Sequence, residues 1–391
     1  MKKAFVLSLA LLLLLSACGG QGSVPAQETD SPAFAPAPTA APTAAPSPTP
    51  AAAPSQAPVP TEEAAPAETP APVRVEDVDV LSSDEVVLRV EGEDYPLTVI
   101  DAMGTEIYLE KKPERIAVMA GTLLNIWYDL GGDSVCSSDI SNNLVLLKER
   151  AEEMLAIPRA GAVYQLNLEA LIAMKPDLII CQTGVQTTAA AKLKQMGYTV
   201  VETNAKTVQS LAQVYEGFGK LLGAQEKARE RIQEFLGGIV DIQSRLPQER
   251  PSCVILYVTS STVSVKLDSS IAGDIAYMLG LDNIASGLPA DTLGSENTPL
   301  DIEYIVAKNP DLVFVTSMVA DNDTAMEMVR TMFANNPAWS TVKAIKAEKV
   351  IYLPQQYYLY NAGPYYIDAV RYMACSVYPD IYGVWDIEFD S

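Results

Sequence analysis

The chain has 391 residues, a formal net charge of −22 and no histidine. The acidic balance excludes nucleic acid as a partner, because phosphate binding needs a basic face. Without histidine there is no His-ligated zinc, no His-ligated haem and no His-based catalytic triad, and with no phosphate loop or metal-ligand cluster in view we expect neither an enzyme nor a resident metal or cofactor.

The first element is a short apolar run. Met1-Lys2-Lys3 is positive, and Ala4 to Leu15 is apolar. At helical rise such a run spans roughly 18 Å, too short for a hydrocarbon core of about 30 Å. It therefore reads as the core of a signal peptide covering residues 1–17. Leu15-Ser16-Ala17-Cys18 resembles the bacterial lipobox, with small residues before a nucleophilic thiol, so Cys18 is expected to carry the lipid that anchors the mature chain to the membrane. Residues 18–73 are mostly Ala, Pro, Thr and Ser, as in Ala45-Pro46-Ser47-Pro48-Thr49-Pro50. Such a segment cannot bury a core and reads as a semi-rigid stalk. At about 3 Å per residue it reaches up to ~150 Å from the membrane.

About 310 residues follow, more than one typical core holds and suited to two lobes. An internal repeat supports that division. Asn167-Leu168-Glu169 leads to Lys175-Pro176-Asp177-Leu178, and Asp301-Ile302-Glu303 leads to Asn309-Pro310-Asp311-Leu312 with the same spacing. Each copy predicts a capped short helix, a Pro-Asp turn and a buried strand, with Asn167 and Asp301 as N-caps. Upstream of each copy lies a strand followed by a helix that ends at glycine. These are Arg115–Met119 with Thr122–Leu130 and Gly131, and Cys253–Val258 with Ile271–Leu279 and Gly280. Alternating strands and helices predict an α/β fold with a parallel sheet in each lobe. Residues 74–206 are assigned to the N-terminal lobe and 248–391 to the C-terminal lobe. Between them, residues 207–247 are helical, with a break near Gly223 and a long helix from Ala224 to Leu246 of about 35 Å. Cys136, Cys181, Cys253 and Cys375 are widely spaced; Cys181 and Cys253 sit in apolar runs and read as core thiols.

From Tyr95 onward the chain resembles the substrate-binding lipoproteins of ABC importers for ferric siderophores, haem and cobalamin. Three stretches carry the resemblance: Tyr95–Gly104 with Lys112-Pro113-Glu114-Arg115-Ile116, the Glu169 and Pro176-Asp177 signature, and Pro337-Ala338-Trp339 through Val350-Ile351-Tyr352. The resemblance implies two Rossmann-like lobes joined by one long backbone helix, with the ligand in the cleft between them. It also implies a monomer that delivers an iron complex, a ferric siderophore first, to a permease dimer driven by an ATPase. Haem, cobalamin, and a non-transporting surface sensor or scaffold are the alternatives.

Ligands of such sheets sit beyond the carboxyl ends of the strands. That rule places Thr122, Gln182, Thr259 and Thr316 at the cleft. Tyr164 matches a position from which members of the family reach into the cleft. The cluster Tyr357-Tyr358-Leu359-Tyr360 supplies aromatic faces for a large flat ligand and phenols for ferric iron, with Tyr358 and Tyr360 the first candidates. Arg159 is the one basic residue the sequence places near a cleft loop. Glu169 and Glu303 favour their helix dipoles locally. Through the resemblance they become a symmetric pair that docks onto arginines of the two permease subunits.

Overall fold

The computed structural model describes residues 85–385, apart from 293, 320–321 and 361–362. The expected signal peptide, Cys18 and the stalk lie outside the described residues. No described helix is long and apolar enough to cross a membrane.

Alternating buried and exposed residues form a small antiparallel sheet first, from β1 (Leu88–Glu91), β2 (Leu97–Asp101) and β3 (Glu106–Leu109). Its inner face holds Leu88, Val90, Leu97 and Val99. The chain then enters β4 (Ile116–Val118) and α1 (Gly121–Asp129). Next come α2 (Ala151–Ala156), the short hairpin β5 (Gly161–Ala162) and β6 (Gln165–Leu166), and α3 (Leu168–Ala173). The lobe closes with β7 (Leu178–Gln182), α4 (Thr187–Gln195) and β8 (Val200–Thr203). Strands β4, β7 and β8 form a parallel sheet in the order β4-β7-β8.

Two helices follow: α5 (Val208–Leu222) and α6 (Gln225–Gln243). Thr207 and Ser210 form a capping box at the start of α5, and Gly223 takes a left-handed φ of 72° between the helices. The break expected near Gly223 is present. The long helix is shorter than expected, ending at Gln243 rather than Leu246, so its 19 residues span about 28 Å. Helix α5 lies against the antiparallel sheet, where a Cβ on Gly217 would meet Leu88 Cδ2 at 2.6 Å.

The second lobe begins with β9 (Ser252–Val258), β10 (Val263–Lys266) and α7 (Ile271–Met278). It continues through β11 (Asp282–Asn283), β12 (Asn297–Pro299), α8 (Ile302–Lys308), β13 (Leu312–Ser317) and α9 (Asn322–Asn335). It ends with α10 (Lys343–Lys346), β14 (Val350–Tyr352), α11 (Gln355–Tyr358) and α12 (Tyr366–Val377). The sheet order is β12-β10-β9-β13-β14, with β11 also pairing β9. This sheet is not wholly parallel as expected: β10 runs antiparallel to β9 and to β12. The reason is local. Thr259 Oγ1 accepts from Thr262 N at 3.0 Å, closing a tight turn that folds the chain back on itself.

The repeat is structural as well as sequential. Asn167 accepts from Ala170 N at 3.1 Å, and Asp301 accepts from Tyr304 N at 3.0 Å. Lys175 and Asn309 both take left-handed φ values, 51° and 49°, just before Pro-Asp. Each aspartate then grips the loop leading into its lobe's first parallel strand, β4 or β9. Asp177 accepts from Glu114 N at 2.7 Å and Arg115 N at 2.9 Å, and Asp311 accepts from Ser252 N at 2.9 Å. Cys136, Cys181, Cys253 and Cys375 are buried free thiols. Burial pushes the Cys181 thiol up to about 12, which keeps it protonated and inert.

Candidate functional site

A cavity of about 210 Å³ lies between the lobes, beyond the carboxyl ends of β4, β7 and β9. The N-terminal lobe supplies Thr122 from the first turn of α1, Tyr164 from the β5–β6 turn, Gln182 from the end of β7 and Lys206 from the segment after β8. The C-terminal lobe supplies Tyr257 of β9, Glu296 beside β12 and Tyr360 after α11. One hydrogen bond beside the cavity also crosses between the lobes. Asn143 Nδ2, from the loop after α1, donates to Gln355 Oε1 at 2.8 Å, and Gln355 Nε2 donates to Ser317 Oγ at 3.0 Å.

Three phenols from three different elements meet here. Burial, and after it the Tyr164 phenol, push the Tyr257 hydroxyl up to about 12, and Glu296 and Tyr360 act in the same direction. Burial, then Tyr360, raises Tyr164. Tyr257 OH donates to Met318 Sδ at 3.3 Å, and Lys266 Nζ stands 4.0 Å over the Tyr257 ring. The raised Tyr164 and Tyr257 hydroxyls stay protonated at neutral pH and can donate hydrogen bonds, and all three rings offer apolar faces for a flat ligand.

The structure brings together four of the expected ligand residues: Thr122, Gln182, Tyr164 and Tyr360. Four others lie elsewhere. Tyr358 is a correction: its ring is buried in the core, and its hydroxyl donates to Ala369 O at 2.6 Å. It sits on the inner face of α11, where it packs on α12 instead of facing the cleft. Thr316 is buried within β13, donating to Leu256 O at 3.2 Å. Thr259 is used by the hairpin turn. The Arg159 guanidinium donates to Met154 O at 2.8 Å and Leu155 O at 3.1 Å, at the end of α2, and does not line the cavity.

Among the lining residues that were not anticipated, Tyr257, Lys206 and Glu296 carry the most chemistry. Tyr257 was within reach, since it is the penultimate residue of a strand whose carboxyl end points at the cleft. Lys206 and Glu296 lie ninety residues apart and meet only through the fold. Behind them, Lys266 closes the strand Val263-Ser264-Val265-Lys266, whose alternation alone puts the lysine on the polar face with Ser264; its burial comes from the fold.

Glu169 and Glu303 are both exposed in the first turns of α3 and α8, and neither lines the cavity. Among the described residues neither forms an ion pair, and their helix starts are capped by Asn167 and Asp301 instead. Among the described residues no cluster of His, Cys, Asp and Glu could hold a metal ion.

Two α/β lobes joined through helices, with an aromatic cleft between them, define a binding protein of two-lobed architecture. The chain belongs to the periplasmic binding protein family, whose profile matches residues 116–357. It is a binding protein and not an enzyme. It is 26% identical over 306 residues to an uncharacterized ABC transporter substrate-binding lipoprotein, YvrC, of Bacillus subtilis (strain 168), covering 75% of this chain and 89% of the relative. It is 23% identical over 240 residues to the Fe(3+)-citrate-binding protein YfmC of the same organism, covering 61% of this chain and 72% of the relative. The fold is similar to a crystal structure of an ABC transporter substrate-binding protein from Listeria monocytogenes EGD-e, with a TM-score of 0.59 and 18% identity. That match covers 68% of this chain and 99% of the other.

Proposed function

We propose that this protein is the substrate-binding component of an ABC importer for an iron complex, held at the outer face of the cell membrane by a lipid on Cys18. The observation that carries the reading is the meeting of Tyr164, Tyr257 and Tyr360 at one cavity, two from one lobe and one from the other. Ferric complexes present flat or rounded organic shells with oxygen donors around the metal. Phenols match both parts, stacking with their faces and donating or ligating with their oxygens. Relatives named for ABC transport and for Fe(3+)-citrate binding support the same reading.

Capture is non-covalent, and delivery falls to the outer tips. Glu169 and Glu303 occupy equivalent places in the repeat, so they present two carboxylates related by pseudo-twofold symmetry. A dimeric permease with a basic residue on each subunit is the matching partner. The lipid and the stalk then raise the local concentration of the binder at that permease and offset weak docking.

The test is a fluorescence titration of the purified protein with ferric citrate, a ferric catecholate, a ferric hydroxamate, haemin and cobalamin. An iron complex is expected to quench tyrosine emission with a dissociation constant below ~10 μM. Haemin or cobalamin binding alone would redirect the proposal to that ligand, and no binding by any of the five would overturn it.

A further inference from the structure

Three charged side chains meet on one wall of the cavity. Lys206 Nζ lies 2.9 Å from Glu296 Oε2, and Lys266 Nζ pairs with the other carboxylate oxygen, Oε1. The bridge crosses the lobes, since Lys206 follows β8 while Lys266 closes β10 and Glu296 precedes β12.

The two lysines are not equivalent. The Lys266 side chain is 6% exposed and that of Lys206 is 34% exposed. Burial pulls the Lys266 ammonium down, and Glu296 opposes that pull. Breaking this inner pair would leave an uncompensated buried cation, which is costly. Burial also pushes the Glu296 carboxyl up, yet Lys266 first and Lys206 second hold it below its usual range. Glu296 is therefore already satisfied by Lys266, and Lys206 is the surplus cation. An incoming anion can take Lys206 and leave no buried charge unpaired.

The surroundings favour that exchange. Asp139, which also lines the cavity, lies in the field of Arg159. Asp291 lies in solvent, in the field of Lys266. Among the described residues that line this cavity, Lys206 is the one basic side chain. The chain as a whole carries −22, so a cation set within a cleft of low dielectric is what draws an anion past the overall field. Lys206 and Glu296 also line a second cavity of about 120 Å³ together with Thr207, Ser210 and Ser269. The bridge lies on the wall shared by the two; the second also carries the Glu85 carboxylate, and its Thr207 and Ser210 hydroxyls are used in the α5 capping box, which favours an anion held at Lys206 itself over one reaching past it.

We propose that Lys206 is an anion-binding residue of the cleft, and that the captured complex is net anionic and places an acidic oxygen on Lys206 in exchange for Glu296. The inference rests on the reading that the cleft takes an iron complex, and it names the charge class of that complex.

The experiment titrates the full-length protein with ferric citrate and a ferric tris-catecholate as anionic probes, and with a neutral ferric trihydroxamate. Wild type, Lys206→Gln, Lys206→Arg and Glu296→Gln are compared. Wild type should prefer an anionic probe. Lys206→Gln should weaken that probe by about tenfold to a hundredfold while moving the neutral one by less than about twofold, and Lys206→Arg should restore most of the loss. Glu296→Gln removes the competing carboxylate, so it should tighten anion binding about threefold or more. That opposite sign keeps the test decisive even if Lys206→Gln folds poorly. A wild-type preference for the neutral complex, equal losses for both charge classes in Lys206→Gln, or weaker anion binding in Glu296→Gln would overturn the inference while leaving iron capture intact. No binding by any iron complex would instead overturn the iron reading, and this inference with it.

Discussion

The two lobes share one plan on their outer tips and differ where they face each other. At the tips, Asn167 and Asp301 cap equivalent helices, Lys175 and Asn309 take equivalent left-handed conformations, and Asp177 and Asp311 grip equivalent strand entries. At the cleft, only the second lobe carries the antiparallel pair β10 and β12, which brings Lys266 and Glu296 to the cavity wall. A surface that meets a twofold partner gains from symmetry. A surface that grips one asymmetric ligand gains from its loss.

The comparison is broken most severely by testing the tips. Glu169→Ala with Glu303→Ala should abolish uptake in cells while leaving ligand affinity within about twofold, because rim charges removed from the tips leave the cleft untouched. Uptake assays paired with a fluorescence titration check this. Loss of affinity instead would place the two carboxylates at the ligand and end the docking assignment.

The asymmetric wall should respond in stability. Lys266→Ala leaves Glu296 in a desolvated site with only the more exposed Lys206 as partner, a cost of about 2–3 kcal/mol. Urea denaturation measures it. A loss under ~0.5 kcal/mol would mean that the inner pair is solvated and contributes as little as a surface pair.

Much of this contrast was legible in the sequence on one side only. The tips were readable because N-caps, Pro-Asp turns and C-terminal glycines act locally, within a few residues of each other. Local chemistry also carried Thr122, Gln182 and Tyr360 to the cleft, through the rule that loops after parallel strands face the ligand, whereas Tyr164 came from the family resemblance. That rule does not say which way a ring points once the chain turns into a short helix, and so Tyr358 went to the cleft on paper and to the Ala369 carbonyl in the fold. Lys206, Lys266 and Glu296 were illegible for a different reason. Their relation is long-range, and it depends on a hairpin that turns through Thr259 and Thr262.

A second local contrast lies in the first helix of each lobe, and it sets the smaller effects. Each carries an aspartate that receives a tyrosine hydroxyl: the buried Asp129 from Tyr215 at 2.9 Å, and the half-buried Asp274 from Tyr366 at 2.8 Å. Asp129 also meets the Arg231 guanidinium of α6 at 2.9 Å, whereas Asp274 takes Val208 N, at the start of α5, at 2.8 Å. Without a paired cation, burial dominates and pushes the Asp274 carboxyl up to about 6, although its two hydrogen bonds pull it down. The folded state therefore holds this proton more tightly than the unfolded chain, whose aspartate titrates near its ordinary value of about 3.9. Between about pH 4 and pH 6 the folded form binds the extra proton, so this group makes stability fall as pH rises through that window. The expected fall is about 2–3 kcal/mol, nearly complete above pH 6. Asp274→Asn keeps one accepting oxygen and cannot ionise, so the mutant should match wild type near pH 4 and be more stable than wild type by up to that amount at pH 7. Denaturant midpoints at the two values measure the difference. A gap independent of pH would show that Asp274 stays ionised in the fold, held by its hydrogen bonds from Tyr366 and from the start of α5.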